Sequence, residues 1–136
     1  MNRDVGASRG RQRKDGGVER HRTRGEVRIV GAERPGGLEL RTAGLAARGM
    51  PELRVTGLAW YLGSGWSRVL GELVRRIAAA GPDHPATFDL GEDGEVTVNL
   101  VPDGDFLAPH PPPGVPLSVA DWRRDVVERL FPSASS

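Results

Sequence analysis

The sequence contains no cysteine, and only one of its nineteen basic residues is a lysine. Without thiols, disulfides, thiolate metal ligands and cysteine nucleophiles are excluded by covalent chemistry. No apolar run approaches the roughly 18 to 20 residues that span a bilayer, and the first 25 residues lack the apolar segment of a secretory signal. The expectation is a cytoplasmic protein with no membrane association. Histidine is scarce too: His21, His84 and His110 show no His-x-x-x-His spacing, and His84 and His110 each adjoin proline. No metal site and no cofactor are expected.

What remains is a chain of 136 residues, long enough for one domain with a real core. Its net charge of +1 hides a split. Residues 1–24 carry eight cations against three carboxylates, a net +5, while the remainder carries eleven against fifteen, a net −4. The head has only Met1, Val5, Ala7 and Val18 as apolar residues, without helical or alternating spacing. It cannot bury enough surface to offset ordering entropy, so residues 1–25 read as a disordered basic tail ahead of a domain over 26–136.

Within the domain, "EVRIV" from Glu26, "LELRT" from Leu38 and "ELRVTGL" from Glu52 alternate as half-buried strands should. Trp66, Val69, Leu70, Leu73, Val74, Ile77 and Ala78 then fall on one helical stripe. Ser64 reads as its N-cap, and Gly81-Pro82 as its stop. "ATFDL" and "EVTVNLV" flank "GEDG" as a hairpin. Six prolines make residues 102–117 read as a stiff extended connector, and Ser118 with Asp121 opens a terminal helix carrying Val119, Trp122, Val126 and Leu130. The order β-β-β-α-β-β-α predicts an α+β domain: a largely antiparallel sheet with helices on one face.

Candidate sites are few. Gly44 and Gly49 have the separation of a phosphate-binding loop, but Met50 and Pro51 stand where lysine and a hydroxyl are required, and a strand follows where a helix should. The stretch reads as a strand-to-strand connection. Gly63, Ser64 and Gly65 open the long helix, where free amides can hold an anion, yet Arg68 replaces the third glycine of a dinucleotide fingerprint. Trp60, Tyr61 and Trp66 gather three of the seven aromatics at the strand-to-helix corner and form the best partner-binding candidate, although Trp66 also lies on the helix's apolar stripe. Asp89, Glu92, Asp93 and Glu95 cluster where turns favour acids, and Asp103 and Asp105 flank another turn. No nucleophile, general base and oxyanion donor can be assembled together, so no catalytic residue is assigned.

The tail cations Arg9, Arg11, Arg13, Lys14, Arg20, Arg22 and Arg24 could neutralise phosphates and support non-specific nucleic-acid binding. The dominance of arginine over lysine fits GC-rich coding bias instead, which produces such a head without selection for nucleic acid, even as leader translated upstream of a later start at Val18 or Val27. Protein interaction is therefore the leading reading, and nucleic-acid binding the alternative.

The segment "LRTAGLAARGMPELRVTGL" resembles a motif of bacterial families of unknown function, actinobacterial in character: Thr-x-Gly-Leu, then Gly-x-Pro-Glu-Leu and an alternating strand. It matches at Thr42, Gly44, Leu45, Gly49, Pro51, Glu52 and Leu53. The resemblance implies a small bacterial α+β domain and carries over no catalytic residue.

Overall fold

The computed structural model describes residues 26–132; the tail and its cations lie outside the described residues. Strands β1 (Arg28–Arg34), β2 (Gly37–Ala43) and β3 (Glu52–Leu58) are followed by helix α1 (Gly63–Ala80). Strands β4 (Thr87–Leu90), β5 (Val96–Asp103) and β6 (Phe106–His110) come next, and helix α2 (Val119–Leu130) ends the domain. The six strands form one sheet in the order β1-β2-β3-β6-β5-β4. All pairings are antiparallel except β3 with β6, so the α+β, largely antiparallel class holds.

One element departs from the sequence reading. The segment taken as a connector holds β6, which inserts at the centre of the sheet despite Pro109. Proline is tolerated because of where its missing donor falls. Leu100, opposite Pro109, turns its N–H to the Ala86 carbonyl (2.7 Å), so this pair exchanges no hydrogen bond. The vacant donor position of Pro109 faces β3 instead, and the β3–β6 pairing has already ended at Leu107.

The alternation read from sequence sorts the sheet into two faces. Leu40, Leu53, Val55, Phe88, Leu90, Val96, Val98 and Leu100 are buried on the helix side. They meet Trp66, Val69, Leu70, Leu73 and Ile77 of α1, and Trp122, Val126 and Val127 of α2, in one cluster. Both helices therefore cover the same face. At α2 the Ser118 Oγ accepts the Asp121 N–H at 3.1 Å, the cap expected from sequence.

Two irregularities shape the end of β3. The register with β2 shifts between Leu38↔Leu58 and Leu40↔Val55, so β3 carries an extra residue there. Gly57 takes the left-handed conformation this bulge demands (φ 64°). The bent strand then runs into a 3-10 turn over Trp60–Leu62 that leads straight into α1.

Candidate functional site

The two-glycine loop between β2 and β3 does receive an anion, and that anion belongs to the chain. The Glu52 carboxylate accepts the Thr42 hydroxyl (2.7 Å) and the Leu45 amide (3.2 Å) on Oε1, and the Gly44 (3.1 Å) and Ala46 (2.9 Å) amides on Oε2. Thr42 Oγ1 in turn accepts the Leu53 amide at 2.9 Å, and Thr42 is fully buried. Burial alone would raise the Glu52 carboxyl, but the Thr42 hydroxyl and the three amides outweigh it and hold it below its ordinary value. Gly44 is required by space and backbone together: its φ is +133°, and a Cβ there would lie 2.5 Å from the Glu26 carbonyl oxygen. Thr42, Gly44 and Glu52 of the motif thus build an anion nest filled by the chain's own carboxylate.

The second glycine pair has a packing role. Leu62, not Ser64, occupies the N-cap position of α1, because the preceding 3-10 turn feeds the helix two residues earlier than the sequence suggests. The Gly63 amide donates to the Trp60 carbonyl as the cap of that turn. A Cβ on Gly63 would lie 2.7 Å from Leu38 Cδ2, and one on Gly65 would lie 2.6 Å from Val127 Cγ1. These glycines let α1 approach β2 and α2 closely.

The aromatic corner divides. Trp66 is fully buried; its ring lies 5.7 Å from that of Trp122, and its Nε1 donates to the Arg123 carbonyl at 3.0 Å. The apolar stripe wins over the corner, so Trp66 is removed from the partner-contact candidates. Trp60 and Tyr61 remain 83% and 53% exposed, edge to face at 6.3 Å and 87°. Two large aromatics this exposed, side by side on a short rigid turn, have no role in the core.

They stand on the wall of an open groove of about 790 Å³. Its other walls are the β1–β2 turn, the bulged end of β3 at Gly57 and Leu58, and the first turns of α2 from Ala120 to Arg124. The charges at its rim are mostly paired. Arg34 Nε donates to Glu39 at 3.3 Å, and Arg124 donates to Asp121 at 3.2 Å. The side chain of Tyr61, followed by the charge of Asp121, holds Arg124 above its ordinary pKa. Arg123 is half-buried, and its guanidinium has no hydrogen bond or ion pair among the described residues.

The remaining candidates stay apart. His84 donates its Nδ1–H to the Pro85 carbonyl (2.7 Å) and stacks near Phe88, while His110 sits at the end of β6 opposite Asn99. The acidic turn residues Glu92, Asp93 and Glu95 line a separate cavity with Glu72 and Arg76, and neither histidine reaches it. Sequence reasoning missed Arg123 and Arg124. Their only signal was their place beside Trp122 on a capped helix, because no local pattern reveals that α2 begins next to the Trp60–Leu62 turn.

No protein-family model, curated protein or solved structure matches the chain.

Proposed function

We propose that this protein is a non-catalytic protein-interaction module that binds a peptide segment of a partner in the groove beneath Trp60 and Tyr61. The observation that carries the reading is the exposure of this adjacent pair on a groove wall fixed by a β-bulge and two helix starts. Aromatics at the rim of a preformed cleft supply large contact area at small entropic cost, which is how interface hot spots are built. The Glu52 nest supports the same reading from the other side: the loop that most resembles a phosphate site is already filled by its own carboxylate.

The test is selection of twelve-residue peptides from a random displayed library on the immobilised full chain, followed by calorimetry with the synthesised peptides. Trp60→Ala is expected to weaken binding by about 2 kcal/mol, roughly thirty-fold in Kd, as for a central aromatic anchor. Because Trp60 lies outside the core, its loss is expected to change folding stability by no more than about 0.5 kcal/mol. Selected peptides that bind the Trp60→Ala/Tyr61→Ala double variant as tightly as the wild type would contradict the proposal.

A further inference from the structure

We infer that Arg123 is the carboxylate receptor of this groove, so that the partner segment lays an apolar residue on Trp60 and Tyr61 and presents an Asp or Glu side chain to Arg123. The inference rests on the groove being the binding site and goes on to name the chemistry of what it binds.

Three arginines among the described residues bury their Nε without an acceptor: Arg54, Arg76 and Arg123. Arg54 and Arg76 are compensated through their outer nitrogens, by Asp103 at 3.1 Å and by Glu72 at 3.5 Å. Arg54 also lies over the Phe106 ring, 4.2 Å from its centroid. Arg123 alone has neither a carboxylate nor a ring contact. Burial pushes its guanidinium below the ordinary value with no opposing charge to offset it. A half-buried cation left unpaired is destabilising, whereas one completed by a carboxylate gains a charge-assisted, often bidentate contact.

No neighbour completes it: Asp121 is held by Arg124 and Glu39 by Arg34, and Glu33, which lines the same groove, makes no ion pair among the described residues. Arg34 and Arg124 line the same groove but are neutralised by their own carboxylates, which leaves Arg123 as its unpaired cation among the described residues. A free chain terminus is the weaker fit, because terminal carboxylates are captured by clusters of backbone amides. The clearest such cluster here is occupied by Glu52. An internal acidic side chain is the occupant that matches the single open cation beside an apolar shelf.

The experiment uses the selected peptides, synthesised with acetylated and amidated ends so that no terminal carboxylate remains. Asp or Glu is expected to be enriched in those that depend on Trp60, and changing that acid to its amide is expected to weaken binding at least tenfold. Against Arg123→Met the same acid-to-amide change is expected to cost nothing, while Trp60→Ala still weakens binding. The Met variant is also expected to melt at or above the wild-type temperature, since it removes an uncompensated cation; Arg123→Gln replaces it if it does not fold, and Arg123→Lys is expected to bind with intermediate affinity. Trp60-dependent peptides without acid enrichment, or an acid-to-amide loss equal in wild type and Arg123 variants, would overturn the role of Arg123 and leave the groove standing. Absence of any Trp60-dependent peptide would overturn the groove itself, and this inference with it.

Discussion

At the scale of the residue, Glu52 shows how a local pattern that looks functional can be structural. Its two oxygens satisfy three loop amides and one hydroxyl, a task glutamine cannot perform because its NH₂ group would face donors. Glu52→Gln is expected to lower stability by about 1 to 2 kcal/mol, at the low end for bonds to a charged acceptor because the carboxylate meets solvent on one edge. The pH dependence has a definite sign. A carboxyl held in the fold below its ordinary value of 4.5 contributes stability that is fully present above that pH and is lost as pH falls through the lower folded value. The gap between wild type and Glu52→Gln in urea denaturation is therefore expected to narrow below pH 4.5. A gap that stays constant down to acid unfolding would contradict the nest.

At the scale of the element, α1 was legible and β6 was not, for physical reasons. Seven apolar positions at helical spacing from Trp66 to Ala78 define one face unambiguously, and the structure buries Trp66, Val69, Leu70, Leu73 and Ile77 of it, with Val74 and Ala78 at its edge. The β6 segment, "FLAPH", carries a proline that reads as a strand breaker. Only the pairing partners show that its missing donor falls where no acceptor waits. The N-cap of α1 was misplaced by the same kind of blindness: the 3-10 turn over Trp60–Leu62 leaves no propensity signal stronger than Ser64. Gly65 was read as a helix-opening residue, whereas its lack of a side chain admits Val127 of α2. Gly65→Ala is expected to destabilise the fold by about 1 to 3 kcal/mol through overpacking, against a helix-propensity gain of under about 1 kcal/mol. Combining it with Val127→Ala is expected to relieve the overpacking term. Equal destabilisation by Gly65→Ala with and without the Val127 change, measured by thermal unfolding, would show that the contact does not matter.

At the scale of the whole molecule, the site was half legible. Trp60 and Tyr61 were visible in the sequence as aromatics in a chain that has few, but Arg123 lines the same groove only because α2 docks beside α1. The charge asymmetry between head and body supplies an independent check on the alternative reading. Deleting residues 1–24 is expected to leave peptide affinity unchanged within twofold. Salt-sensitive retention on DNA or RNA that disappears with the deletion would instead assign binding to the tail. Trp60 is also the one exposed tryptophan of three, so quenching by acrylamide is expected to report on it almost alone and to fall when peptide binds.

The most direct measurement is a heteronuclear NMR titration of the full chain with a selected acidic peptide, following backbone amides and the tryptophan indole N–H signals. The expected result is a contiguous set of shifts at Gly36–Gly37, Gly57–Leu62 and Ala120–Arg124, with the Trp60 indole among the largest. Shifts centred on the Gly44–Glu52 loop, on the open face of the sheet or on residues 1–24 would contradict the assignment of function to this groove.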